Sequence, residues 1–277
     1  MSRSLPFTKG YSPFFSGHET FPLRYGWLKK AYDAVVADGR KDVFTNDDAI
    51  SRFGVGKNMV ASIRHWATHT GIIEEIGDHL QATDLGRRLF DPELGLDPYM
   101  EHPTTLWLLH WYLAGNTKKT TWYWAFNQFS SPIFKRSRLV DSISKLANSQ
   151  GWTRAVKTTL RNDVACFIRT YVTQRPSSPG SLDDSIESPL AELGLIKATS
   201  TNDEFRFVRG PKPTLGQGTF AYALLDFWKS HQSAATLSFE AVAHQAGSPG
   251  RVFLLEENEV ADRLADLDRF TNGVLSL

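Results

Sequence analysis

Apolar positions recur at helical spacing near the start of the chain. Four of them lie three to four residues apart between residues 23 and 37: Leu23, Trp27, Ala31 and Ala34. This spacing predicts an amphipathic helix, because residues three and four apart share one helix face. Asp38-Gly39 ends the predicted helix, since glycine is common just past a helix C-terminus.

Residues 40–90 carry a second pattern. Thr45-Asn46-Asp47-Asp48 offers helix N-caps, and Gly54-Val55-Gly56 predicts a tight turn between two amphipathic helices. Two short β-prone runs follow around Gly77-Asp78, and a further helix is predicted from Thr83. Helix, glycine turn, helix and hairpin in this order predict a winged helix-turn-helix.

The middle of the chain is rich in aromatic side chains. Residues 106–113 are apolar on every side of the predicted helix. Such a helix must be buried, so we expect a core between two lobes, with base stacking by these rings as the alternative. Residues 136–173 then repeat the helix, turn, helix pattern, and Arg161–Phe167 lines up with Lys57–Ile63 at an offset of 104 residues, by duplication or by chance.

A linker-like run rich in Pro, Gly and Ser at 174–181 precedes the last third of the chain, which is predicted to form a second, winged-helix-like lobe. A short helix at 189–196 precedes a strand pair at 196–198 and 204–208, and helices are predicted over 218–231 and about 252–267. The fold class is therefore predicted as mainly α with small β wings. The predicted regions are an N-terminal winged helix-turn-helix (1–100), a basic, aromatic-rich helical middle (101–180) and an acidic, winged-helix-like C-terminal region (181–277).

Charge divides along the same lines. The chain of 277 residues has 31 Lys and Arg against 30 Asp and Glu, a formal net charge of +1. Residues 1–100 carry −1, residues 101–180 carry +8 and residues 181–277 carry −6. A basic block of this size favours an anionic partner, most often nucleic acid. The alternative is that the acidic third pairs with the basic block inside the fold.

Composition excludes several classes of protein. Hydrophobic residues at 41% and a mean hydropathy of −0.31 exclude wholesale disorder, and a single cysteine excludes a disulfide scaffold. No apolar run approaches the roughly 20 residues that span a bilayer, and the start lacks the order of a signal peptide, so we expect a cytoplasmic protein and no membrane partner. Nucleotide-binding glycine motifs and H-E-x-x-H are also missing from the sequence.

One segment, residues 15–28, concentrates groups that do chemistry: His18, Glu19 and Arg24. A general acid/base pair with an arginine on a phosphate is the functional interpretation. The alternative, which the residues alone favour, is a buried ion pair that fastens the N-terminal segment to the winged helix. The carboxylates Asp183, Asp184 and Glu187 could bind Mg²⁺, or simply form a charged helix N-terminus, and Cys166 lies among apolar residues as an inert core thiol would.

Eight polar residues are predicted to face DNA. Four of them lie on the second helix of the first pattern and four belong to the basic block: Lys57, Asn58, Ser62, Arg64, Arg138, Lys157, Arg161 and Arg169. Arginine and lysine bind guanine edges or phosphates, and asparagine pairs with adenine. An ordinary solvated helix face is the alternative for the first four, because winged helices also bind proteins.

Three segments carry a family resemblance: FSGHETFPLRYGWLKK, VGKNMVASIRHW and LQATDLGRRLF. They resemble the bacterial family known as domain of unknown function 4007, over most of the chain. The resemblance implies a place in antiphage DNA phosphorothioation systems, beside a cysteine desulfurase, an ATPase and a PAPS-reductase-like enzyme. In Ssp-type systems it implies the component that nicks DNA so that sulfur enters one strand. It supplies no catalytic residues.

The resulting hypothesis is a DNA-binding strand nickase of a phosphorothioation system. His18, Glu19 and Arg24 are the candidates for chemistry, with Mg²⁺ or Mn²⁺ as a candidate cofactor. The competing hypothesis is a non-catalytic winged-helix adaptor or transcriptional regulator, which would recruit an ATPase through the acidic last third of the chain.

Overall fold

The computed structural model describes residue 7 and residues 10–153, 155–173, 188–201, 203–229 and 236–275. The described part is mainly α-helical with two small antiparallel sheets, which confirms the predicted class. Its helices are α1 (Trp27–Ala37), α2 (Ala49–Phe53), α3 (Lys57–His69), α4 (Asp84–Phe90), α5 (Pro103–Ala114), α6 (Thr120–Asn127), α7 (Arg136–Gln150), α8 (Lys157–Tyr171), α9 (Gln217–Lys229), α10 (Phe239–His244), α11 (Pro249–Val252), α12 (Glu257–Ala265) and α13 (Leu267–Phe270). Its strands are β1 (Ile73–Ile76), β2 (His79–Ala82), β3 (Ile133–Lys135), β4 (Ile196–Ala198) and β5 (Glu204–Phe207). Short 3-10 helices cover Lys41–Phe44 and Pro189–Leu193.

The N-terminal part has the elements that the sequence predicts, in the predicted order. Helices α2 and α3 flank the glycine turn, and β1 pairs antiparallel with β2, with Ile73 opposite Ala82. Thr83 caps α4, because its hydroxyl accepts a hydrogen bond from the Gly86 N–H at 3.0 Å. The winged-helix assignment itself stays a prediction. The first helix begins at Trp27 and not at residue 23, since Gly26 takes a left-handed φ of 75° at the N-cap.

Gly86 lies where α4 crosses the start of the hairpin. A Cβ added there would be 2.3 Å from the carbonyl oxygen of Ile72, which is backbone and cannot swing aside. We expect Gly86→Ala to lower the free energy of unfolding by about 1–3 kcal/mol through this overpacking. Gly56→Ala is the matched control, because nothing lies within 4 Å of its added Cβ. Urea denaturation of both variants measures the difference, and equal midpoints would contradict it.

The middle of the chain confirms the predicted buried helix. Most of α5 is buried, including Trp107, Leu109 and Trp111, and α6 packs beside it. Helices α7 and α8 occur close to the predicted positions and pack against each other. Strand β3 was not predicted: it pairs with β5, which pairs with β4, so the predicted strand pair is part of a three-stranded sheet. Three residues are too few to show an alternating pattern.

The helix predicted over about 252–267 is confirmed over Glu257–Ala265, and its predicted start is wrong. Helix α11 ends at Val252, and α12 begins only at Glu257. Between them Phe253, Leu254 and Leu255 are all buried, with exposures of 0–3%, and Leu254 has a left-handed φ of 54°. Consecutive residues on a surface helix point in different directions, so three buried in succession need an irregular path through the interior.

One contiguous hydrophobic cluster runs through the described residues from Leu23 to Leu267, and it includes side chains from all three predicted regions. It contains the fully buried rings of Trp66, Trp107 and Trp122. The cluster therefore joins α3, α5 and α6 in one interior. Within the described ranges, every helix is too short or too polar to cross a membrane.

Candidate functional site

His18 lies in the interior, although its loop is on the surface. Its side chain is 1% exposed, and its Nδ1 accepts a hydrogen bond from the Thr20 N–H at 3.0 Å. A backbone N–H can only donate, so the ring proton must be on Nε2. Nε2 then donates to Asp163 Oδ1 at 2.8 Å, which also accepts from the Ser16 N–H at 2.8 Å. One carboxylate oxygen of α8 therefore holds the loop at both Ser16 and His18.

Lys119 brings a second charge to Asp163. Both side chains are at most 1% exposed, and Lys119 Nζ is 3.8 Å from Asp163 Oδ1. The ammonium lies over two aromatic rings, 5.3 Å from the centroid of Phe14 and 4.7 Å from that of Trp122. Burial lowers the pKa of Lys119 and its attraction to Asp163 only partly offsets this. Burial by itself would raise the pKa of Asp163, but Lys119 and His18 outweigh it, and the net pKa is lowered.

His65 of α3 completes the group, and we call His18, His65, Lys119 and Asp163 the buried cluster. The ring centroids of His65 and His18 are 5.7 Å apart. A Cβ on Gly17 would lie 2.7 Å from His65 Nδ1, so glycine permits this close approach. The cluster joins the N-terminal loop, α3, α8 and the residue that precedes α6.

The three predicted catalytic residues differ in their exposure to solvent and in their contacts. Glu19 is exposed, whereas His18 pairs with Asp163 and not with its neighbour Glu19. Arg24 is 9% exposed, with its guanidinium 5.6 Å from the Phe21 centroid and 5.5 Å from that of Trp27. The structure fastens the N-terminal segment by a buried hydrogen bond from His18 to Asp163 of α8, and not by an ion pair to the predicted winged helix.

Sequence reasoning missed Asp163 and Lys119. The available signal was weak: Asp163 shares one face of α8 with Leu160 and Phe167, three residues before it and four after, so an acid stands in an apolar stripe. Lys119 follows another lysine and shows no pattern. Cys166, one turn after Asp163, is buried as predicted, and burial raises the pKa of its thiol to about 12.

Two further histidines are held neutral by burial. Burial lowers the pKa of His69 to about 4 and that of His110 to about 4, from the usual 6.5. Because the pKa is lower in the folded state, protons bind the unfolded chain at a higher pH than they bind the folded one. The contribution of the neutral histidine to the free energy of unfolding is therefore fully present above pH 6.5 and decreases as the pH drops toward 4. For buried His110 the loss is at most about 1.4 kcal/mol per pH unit. Urea denaturation across this range measures the slope, and His110→Gln should flatten it; an unchanged slope would contradict the prediction.

On α3, the predicted DNA-facing residues divide. Lys57 and Asn58 are exposed. Ser62 is 0% exposed, so the prediction that it faces DNA is wrong; its position on α3 turns toward the core. Arg64 is half-buried and pairs with Glu75 of the hairpin at 3.3 Å. This carboxylate, which also contacts Lys41 at 2.5 Å, reduces the positive charge that α3 presents.

The basic block forms a cleft between α7 and α8. This α7–α8 cleft has a volume of about 460 Å³ and is lined by Arg136, Ser137, Val140, Asp141, Lys157, Arg161, Asn162 and Ala165. Lys157 is 4.0 Å from Asp141, a weak contact, and Arg136 pairs with Asp203 at 3.0 Å. Arg161 is exposed and has no ion pair within the described ranges. The cleft therefore keeps a net positive charge.

The other two predicted cations lie outside this cleft. Arg138 is exposed and donates to Ser131 Oγ at 3.0 Å, and Arg169 donates to the carbonyl oxygen of Thr20, next to the His18 loop. Arg136–Asp203 is the one ion pair between the basic block and the acidic last third that the described residues show. In the described part of the chain, the acidic last third therefore neutralises little of the positive charge of the basic block.

Where the structure is described, His, Cys, Asp and Glu nowhere gather in threes, so that part of the chain offers no preassembled ligand set for a divalent cation. The predicted cluster of Asp183, Asp184 and Glu187 lies outside the described residues.

The family model described as "Protein of unknown function (DUF4007)" matches residues 15–277. The chain belongs to the DUF4007 family. Two solved structures resemble this member at 31% sequence identity, covering 95% of this chain and 79% of theirs: a magnesium ion-bound SspB crystal structure with a TM-score of 0.83, and an SspB crystal structure with a TM-score of 0.80. No curated protein matches this DUF4007 member.

Proposed function

We propose that this chain is a component of a DNA phosphorothioation system and that it binds DNA and nicks one strand, so that sulfur can be incorporated. The observation that supports DNA binding most directly is the α7–α8 cleft, where Arg136, Lys157 and Arg161 converge. Phosphate attraction dominates the affinity of proteins for DNA, and these cations are the groups that supply it. The similarity to the SspB structures supports the proposal that the chain acts in a DNA phosphorothioation system.

Nicking is hydrolysis: water adds across one P–O bond of the backbone, and one product takes the hydroxyl and the other the phosphate. The chain must supply cations for the phosphate, a base for the water and an acid for the leaving oxygen. Glu19, exposed on the loop, is the proposed base. His18 has both ring nitrogens hydrogen-bonded within the protein, so its proposed role is to hold the loop that carries Glu19.

We also propose a divalent ion, Mg²⁺ or Mn²⁺, for the reaction. One of the SspB structures is described as magnesium ion-bound, and such an ion would polarise the phosphate or the attacking water. The described residues do not form a ligand set of three or more side chains for such an ion.

A second candidate is a non-catalytic adaptor that binds DNA and recruits the ATPase, the PAPS-reductase-like enzyme or the cysteine desulfurase. The burial of His18 and Arg24 favours it, because two of the three predicted catalytic side chains are at most 9% exposed.

Relaxation of supercoiled plasmid distinguishes the two. Purified protein with Mg²⁺ or Mn²⁺ should convert supercoiled plasmid to open circles, with EDTA as the control arm. Tight binding without open circles would instead establish the adaptor. Glu19→Gln should abolish nicking and leave DNA affinity unchanged; if His18→Ala and Glu19→Ala both leave nicking intact, the catalytic assignment is wrong.

A further inference from the structure

The loop of residues 91–101, between α4 and α5, displays large apolar side chains to solvent. Leu94 is 81% exposed, Leu96 is 80% and Tyr99 is 72%. Three such side chains within six residues are unusual on a protein surface, where scattered single ones are the rule. We call Leu94, Leu96 and Tyr99 the apolar triplet.

The backbone that carries the triplet is tightly held. The Leu96 N–H donates to the Arg88 carbonyl at 2.8 Å, and the Asp97 N–H donates to that of Leu89 at 3.1 Å. The Asp97 side chain, 8% exposed, accepts from the Glu101 N–H and the Thr105 hydroxyl. Burying these side chains in the core would require the backbone of the loop to move, which would break several of these bonds, so the exposure belongs to a preorganised loop.

Gly95 fixes the loop between the two leucines. Its N–H donates to the Asp91 carbonyl at 2.9 Å, and a Cβ at Gly95 would lie 2.4 Å from that oxygen. Met100, buried at 1% exposure, anchors the other end. A rigid display of apolar groups loses little conformational entropy when a partner binds, which is how strong protein contacts are built.

The charge around the triplet is mainly negative. Residues 84–101 carry five acids and two arginines, Arg87 and Arg88, and Arg87 pairs with Asp84 at 2.6 Å. The acids nearest the triplet are Asp91, Glu93, Asp97 and Glu101. Glu93 and Glu101 are exposed and have no ion pair with any described residue. Such a surface repels DNA phosphates and attracts a partner that carries positive charge.

We propose that the apolar triplet is a docking site for a partner protein that has an apolar pocket bordered by Lys or Arg. The proposal rests on the proposed function for the choice of probes, which are the purified ATPase, PAPS-reductase-like protein and cysteine desulfurase of the same system. It places protein docking on the α4–α5 loop and DNA binding on the α7–α8 cleft, so the two can be lost separately.

The test measures the affinity of each probe for the full chain by biolayer interferometry. A triple variant, Leu94→Ser, Leu96→Ser and Tyr99→Ser, should weaken binding of one probe about tenfold or more, as loss of a central contact does. Val274→Ser is the matched control, because Val274 is also 81% exposed. Glu93→Lys with Glu101→Lys should weaken the same probe, and Asp78→Lys, at a fully exposed acid, should not.

Plasmid nicking and DNA affinity should be unchanged in the triple variant, and circular dichroism checks its folding. Equal affinity of variant and wild type, or no binding of any probe to wild type, would overturn the proposal. If the wild type self-associates and the triple variant is monomeric, the site binds a second copy of this chain. If the triple variant loses DNA affinity, the site binds DNA. Either result would also overturn the proposal. Failure of nicking with docking intact would instead count against the proposed function alone.

Discussion

Asp163→Ala should destabilise the protein by about 3–5 kcal/mol, the cost of leaving a buried charge without its partner. Lys119 would remain at 1% exposure with no counter-ion, and the His18 Nε2–H and Ser16 N–H would lose their shared acceptor. Urea denaturation near neutral pH measures the loss. Asp141→Ala is the matched control, since Asp141 is 60% exposed and only 4.0 Å from Lys157, and should change stability by less than about 0.5 kcal/mol.

Removal of both charges separates electrostatics from packing. In Lys119→Met with Asp163→Asn, the ammonium and the carboxylate disappear together while the volumes stay similar, and buried ion pairs replaced in this way often lose little stability. The double variant should therefore be more stable than Asp163→Ala. If the two are equally destabilised, or if Asp163→Ala costs less than about 1 kcal/mol, the buried cluster is not held by charge.

Charge reversal in the α7–α8 cleft should reduce DNA affinity strongly. Lys157→Glu with Arg161→Glu removes two cations that the cleft presents and adds two carboxylates facing the phosphates. The logarithm of the affinity falls as the logarithm of the salt concentration rises, and each lost phosphate contact makes this dependence shallower by about 0.9. The double variant should therefore have a slope that is shallower by about 2, and its affinity at low salt should be about a hundredfold lower. Fluorescence anisotropy with a labelled duplex over a salt series measures both quantities.

A control with the same change in net charge shows whether the position matters. Lys197→Glu with Arg269→Glu reverses two exposed cations outside the cleft, and Arg269 is 86% exposed. This variant should lose far less affinity and keep the wild-type salt slope. Equal losses of affinity in the two variants would show that only the net charge of the protein matters. Full DNA affinity of the cleft variant would contradict the proposal that DNA binds at the cleft.

Local patterns predicted most of the elements. Helix α3 follows a glycine turn, and the hairpin follows α3, because periodicity and turn residues act within a few positions of each other. The patterns failed where the environment overrode them. The predicted helix over about 252–267 is broken at Leu254, since burial of three consecutive residues outweighs helical spacing, and β3 exists because β5 supplies a partner from a distant part of the chain.

The sequence by itself determined that the protein is mainly α, that its aromatic middle is interior and that its positive charge lies in the middle third, because each of these depends on residues close together in the chain. Only the tertiary structure decided which charged groups meet. His18 and Asp163 are 145 positions apart, and Lys119 belongs to neither segment. Burial of a charge is tolerated only where an opposite charge or a hydrogen bond is already in place, and that partner is chosen by packing between distant elements rather than by local pattern.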